Sequence, residues 1–168
     1  MDRDAALADF DAARAEWEGT FAQVPDAALA YLKKGDIYAI GGLQVHVNWI
    51  LTHYGRILDA LIAGNGVPLG PLDTPAEWEA VNGKARSGLE ARERRVALDE
   101  MAELHAAVRG AAGGVAPDDW TRKTPVDYGD GKDPYPTSPE DVIGWLREHY
   151  REHVQQCPEL VAEWRSLR

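Results

Sequence analysis

The sequence predicts an all-α protein, a four-helix bundle built as one domain over residues 1–168. Three observations carry that expectation. Apolar residues recur at steps of three and four through long segments, the period of a helix with one buried face. Runs of strand-like alternation are absent. Two segments open with helix start signals, Thr74-Pro75 and Ser138-Pro139. A length of 168 residues with 45% hydrophobic content suits a single core.

The first predicted helix covers residues 3–24. Leu7, Phe10, Trp17, Phe21 and Val24 fall on one stripe, with Arg14 as its polar exception. Ala6 and Ala13 beside the stripe let a neighbouring helix come close. Pro25 and Asp26 end the segment, and a turn-like stretch leads to Gly35.

The second predicted helix runs from about Asp36 to Ala63 on the stripe Leu43, Val47, Ile50, Tyr54, Ile57 and Leu61. His46 and His53 lie one step to the side and still face inward. Gly41 and Gly42 are poor helix formers, each costing about 1 kcal/mol against alanine. Close packing or a bend is their expected use.

The third predicted helix starts at Thr74 and extends to about Ala112, with a bend expected near Gly83 or Gly88. Leu89, Val96, Met101, Leu104 and Val108 are its apolar residues; His105, next to Leu104, is inward or lateral by position, with a surface histidine as the default reading. Residues 113–137 form a long Gly/Pro/Asp-rich loop carrying Trp120, Tyr128 and Tyr135. Loops this long in a compact domain are commonly functional.

The last long helix is expected over Ser138 to Gln156. Ser138 caps it, Pro139 sits in its first turn, and Asp141 completes a capping box. Val142, Leu146, His149, His153 and Gln156 mark its inward face. Cys157-Pro158 is expected to break the chain before a short C-terminal helix.

Composition narrows function. The formal net charge of −10, from 28 acidic and 18 basic residues, opposes nucleic acid as a partner, since phosphate needs a basic surface. No apolar run approaches the roughly 20 residues of a membrane span. The acidic, amphipathic N-terminus resembles no targeting segment. A single cysteine, Cys157, cannot form an internal disulfide. A cytoplasmic protein is therefore expected. Phosphate loops, dinucleotide fingerprints and serine nucleophile elbows are all missing.

The chemistry lies in the histidines. His149 and His153, at i and i+4, project from one helix face and can reach one ion. A third nitrogen can come from His46 or from its competitor His53, which lies seven residues and about 10 Å further along the same helix. Three imidazoles leave one tetrahedral position for water or substrate, as in catalytic zinc sites. The same donor set suits nickel, iron or manganese. A fourth protein ligand, His53 or His105, would instead close the site.

Two segments resemble the DinB/YfiT-like family of small four-helix metalloproteins. GDIYAIGGLQVHVNWILTHYGRIL is similar to that family's second helix, where a histidine follows an aromatic residue by about two turns; Tyr38 and His46 stand at those positions. VIGWLREHYREHVQQ is similar to its last helix, with His-x-x-x-His. Tyr38 stands where tryptophan is usual. The resemblance implies a metal triad of His46, His149 and His153. It also implies an enzyme of thiol-dependent transferase or hydrolase type. Such an enzyme would act on a small electrophile with a low-molecular-weight thiol such as mycothiol, bacillithiol or glutathione. A non-catalytic metal- or ligand-binding stress protein is the alternative. The expected partner is a small molecule, with a second copy of the chain, a homodimer, as the candidate protein partner.

Candidate auxiliary groups are weaker. Glu148 and Glu152 flank His149 and are expected on a solvated side. Tyr54 is placed to donate a hydrogen bond or simply to pack. Cys157, at a helix end with no histidine partner, is expected to be an idle, packed thiol.

Overall fold

The computed structural model describes residues 2–168. They form six α-helices and one short β-hairpin, in the order α1 (Arg3–Ala22), α2 (Ile40–Gly64), α3 (Pro75–Ser87), α4 (Glu93–Gly113), α5 (Pro117–Trp120), β1 (Thr124–Val126), β2 (Tyr135–Thr137) and α6 (Pro139–Ser166). The protein is mostly helical. The long helices form a closed circuit: α1 lies along α6, α6 along α2, α2 along α4, and α4 touches α1. The core sits between them, with Phe10, Trp17, Phe21, Leu43, Leu58, Met101, Ile143 and Tyr150 among its buried side chains. No helix of the described residues is long and apolar enough to cross a membrane.

α1 follows its predicted stripe, with Leu7, Phe10, Trp17, Phe21 and Val24 buried and Ala6 and Ala13 beside them. α2 begins four residues later than the periodicity suggests. Its start has no side-chain cap. Instead the Ile40 and Gly41 amides donate to the Tyr31 and Leu29 carbonyls at 2.9 and 2.8 Å. Tertiary carbonyls thus satisfy donors that every helix start leaves open. Both glycines are needed for this approach. A Cβ at Gly42 would stand 1.7 Å from the Ala85 carbonyl oxygen, and one at Gly41 2.7 Å from that of Leu29. The start of α2 is therefore clamped, and with it the register of His46.

The expected third helix is two helices. α3 begins on the Thr74–Glu77 capping box with Pro75 in its first turn. It stops at Gly88, whose φ of 78° and closeness to the Leu29 carbonyl oxygen admit no side chain. The break resets the helical phase. Ala97, Met101, His105, Val108 and Ala112 become the buried face of α4, while Val96 is 69% exposed. Two expectations are corrected here: Val96 is not in the core, and His105 is not on the surface.

The 113–137 segment, expected as a loop, carries α5 and the hairpin. β1 and β2 pair antiparallel, Thr124 opposite Thr137 and Val126 opposite Tyr135. Leu69 joins this hairpin through Leu69 N to Pro125 O and Asp127 N to Leu69 O, both 2.9 Å. Three-residue strands are too short to show alternation in a sequence.

α6 corrects another expectation. It starts on the Ser138–Asp141 capping box as read, but it runs through Cys157 and Pro158 without a break, to Ser166. An interior proline costs about 3 kcal/mol. Beyond it, Leu160 and Val161 are buried, and each buried aliphatic side chain returns roughly 1.5–3 kcal/mol. Burial offsets the penalty, and the proline ring itself faces solvent.

Candidate metal centre

α2 and α6 run antiparallel across the site. His46 of α2 meets His149 and His153 of α6, while Tyr54, two turns further on, meets Trp145, earlier in α6. The three imidazoles gather at that crossing. Ring centroids lie 4.9 Å apart for His46–His149, 5.6 Å for His46–His153 and 4.5 Å for His149–His153. One ring nitrogen from each falls within 4.8 Å of the others, so the cluster could hold a metal ion. His46 and His153 are buried and His149 is partly exposed.

Hydrogen bonds orient these rings. His153 Nδ1 donates to Gln156 Oε1 at 2.8 Å. That tautomer leaves the Nε2 lone pair facing the cluster, as an outer-shell acceptor does for a metal-ligating histidine. The 3.1 Å contact between His153 Nε2 and His149 Nε2 is then a bond donated by His149. A divalent ion held by both nitrogens would take the place of that shared proton. Two nitrogens of a tetrahedral zinc site stand about 3.3 Å apart, close to this separation. His46 lies face to face with Tyr38, at 4.5 Å and 24°, and its Nδ1 is buried without a hydrogen-bond partner. An unpaired buried nitrogen costs about 1–3 kcal/mol, so this ring has bonding capacity unused by the protein.

The electrostatics keep all three rings neutral, the form that binds metal. Burial, then the proximity of His153, pushes His46 down to about 4. Burial, then His153 and His46, pushes His149 down to about 3. Burial lowers His153 as well, against the opposing bond from Gln156.

A cleft of ≈ 250 Å³ opens at His149, lined by Ile50, Tyr54, Trp145, Glu148, His149 and Glu152. Glu148 and Glu152 are exposed at its rim, and Glu152 Oε2 lies 3.6 Å from His149 Nδ1, too far for a hydrogen bond. Burial raises the Tyr54 hydroxyl above its ordinary value, so it faces the cleft as a neutral phenol. Tyr128 and Tyr135 of the hairpin segment pack on Trp145 at 6.5 and 6.1 Å. The loop backs the cleft wall through Trp145 rather than lining it. A larger cavity of ≈ 570 Å³ lies between α2, α3 and α4 and contains no histidine.

The remaining histidines stand apart. His53 Nδ1 is held by Asp73 Oδ2. His105 uses both nitrogens, Nε2 with Asp11 at 2.9 Å and Nδ1 with Tyr150 at 3.2 Å. Cys157 is buried, and burial raises its thiol to about 11, which agrees with an inert role. Sequence reasoning missed Trp145, the work of Gln156, and Asp73. Gln156 left a trace as the polar end of the inward stripe, and Tyr128 and Tyr135 were visible as aromatics of a long loop, though not their packing on Trp145.

No family model and no curated protein matches this chain.

Proposed function

We propose that the chain is a DinB/YfiT-like four-helix-bundle metalloprotein whose His46, His149 and His153 hold one divalent ion, zinc, nickel, iron or manganese. The observation that carries this reading is the convergence of three neutral imidazoles, one pre-oriented by Gln156, beside an open cleft. A divalent ion there would supply Lewis-acid chemistry and stabilise an anionic nucleophile. The protein supplies the rest. Gln156 fixes the His153 ring, Tyr38 fixes the His46 ring, and Tyr54 and Trp145 wall the cleft against water. Glu148 and Glu152 at the rim disfavour anionic substrates and leave neutral electrophiles the better fit.

Within this reading the protein is an enzyme of thiol-dependent transferase or hydrolase type acting on a small electrophile, with a low-molecular-weight thiol as cosubstrate. Support comes from the donor count. The cluster holds three protein ligands among the described residues; His105 has both nitrogens bonded, to Asp11 and Tyr150, and His53 lies about 10 Å further along α2 than His46, outside the cluster. A site serving only for storage or stability is expected to be closed by a fourth ligand. The test is a screen of electrophiles with mycothiol, bacillithiol and glutathione, using metal-loaded protein beside His149→Ala. Turnover lost in the variant supports the reading; turnover retained removes the metal from the reaction.

A further inference from the structure

Of the five histidines, three form the metal cluster and His105 has both ring nitrogens bonded. His53 is different. It is 8% exposed, its Nδ1 is held by Asp73, and its Nε2 has no hydrogen-bond partner among the described residues. Asp73 is partly buried, with 4% of its side chain exposed. Its other oxygen accepts from Arg56 Nη1 at 2.7 Å, and the same Arg56 nitrogen donates to Glu77 Oε1 at 3.0 Å. A carboxylate so paired is an acceptor only, so the shared proton belongs to His53 Nδ1 and the Nε2 lone pair is free.

The surroundings suit a reactive imidazole. Tyr54, Trp78 and Tyr128 ring it at centroid distances of 4.8, 5.4 and 6.1 Å. Tyr54, the next residue along α2, lines the cleft that opens at His149. His53 does not line that cleft; its ring packs edge-on against Tyr54, about 10 Å along α2 from His46. Asp73 is presented by a segment tied to the hairpin through Leu69, so the pair joins two elements that are separate in sequence.

The structure assigns to His53 and Asp73 a second reactive centre, a proton-accepting dyad for a ligand that carries a hydroxyl or thiol group. In the step it supports, the ligand's O–H or S–H bond breaks and its electron pair stays on oxygen or sulfur. The proton goes to His53 Nε2, and the imidazolium formed is paired with Asp73 through Nδ1–H. A ligand that leaves unreacted takes its proton back from His53 Nε2. The dyad does not depend on whether the histidine cluster carries an ion.

The test uses the folded full chain with zinc added and diethyl pyrocarbonate as the imidazole-reactive probe, read by peptide mass spectrometry. His53 is expected to be carbethoxylated first, and Asp73→Asn to slow its reaction roughly tenfold or more. In the unmodified protein, long-range proton–nitrogen correlation spectra are expected to show His53 as the Nδ1–H tautomer, a readout that stands even if the variant fails to fold. An unreactive His53, a rate unchanged by Asp73→Asn in a folded variant, or an Nε2–H tautomer would each overturn the assignment and leave the pair as a pin for the loop. Failure of the metal reading looks different: His46, His149 or His153 would react despite the zinc, with the His53 results unchanged.

Discussion

Acidifying the metal-free protein should unfold it in a pH range where carboxylates are still silent. His46 is held down to about 4 and His149 to about 3, both first by burial. In the unfolded chain each returns to about 6.5. As pH falls below that value the unfolded state takes up protons that the fold refuses. Stability is therefore intact above about pH 6.5 and drains between there and the folded values. Between pH 7 and pH 5 each ring accounts for about 2 kcal/mol, roughly 4 kcal/mol for the pair. His153 and His105, also lowered by burial, act in the same direction. Asp9, Asp141 and Glu77 are lowered too, but the stability they add is lost only as pH falls below about 4.5, beneath this window. The assay is urea unfolding followed by circular dichroism in chelator at pH 7, 6 and 5. With a slope near 2 kcal/mol/M, the midpoint should fall by about 2 M. His149→Leu should remove about half of that dependence. A midpoint that stays constant from pH 7 to pH 5 would refute the burial of neutral imidazoles at the crossing of α2 and α6.

Other substitutions probe separate links. Gly42→Ala forces its Cβ against the Ala85 carbonyl; we expect a loss of 3 kcal/mol or more and a melting temperature lower by about 10 °C. Pro158→Ala restores an amide to the middle of α6 and should raise stability by about 1–3 kcal/mol; a neutral or destabilising result in thermal melts would contradict a continuous helix. Gln156→Ala frees the His153 ring and should weaken metal binding about 10–100-fold in competition titrations with a chromophoric chelator, while the fold persists.

The histidine cluster was the most legible part of the molecule. His149 and His153 share a face by spacing alone, and the clamp at Gly41 and Gly42 keeps His46 in the register its stripe implies. The choice of His46 over His53 came from the family resemblance, and the geometry agrees because α2 crosses α6 at His46. The capping boxes at Thr74 and Ser138 were equally plain, since they are local. What escaped was set by tertiary contacts. Pro158 reads as a breaker until Leu160 and Val161 are seen to be buried behind it. His105 reads as a surface residue because Asp11, its partner, lies 94 positions away. The phase reset at Gly88 arises from crowding by the Leu29 carbonyl, which no window of neighbouring residues contains. The hairpin pairs only three residues on each side, and Asp73 gains meaning only when the 65–74 connection is folded back onto α2.

The central claim is that one divalent ion sits on His46, His149 and His153. Elemental analysis of untagged protein, purified without added metal and then titrated with zinc, tests it most directly. The account predicts one ion per chain, lost in each of His46→Ala, His149→Ala and His153→Ala while helical content persists, and retained in His53→Ala. Full occupancy in any of the three cluster variants, or loss in His53→Ala with retention in His46→Ala, would contradict it.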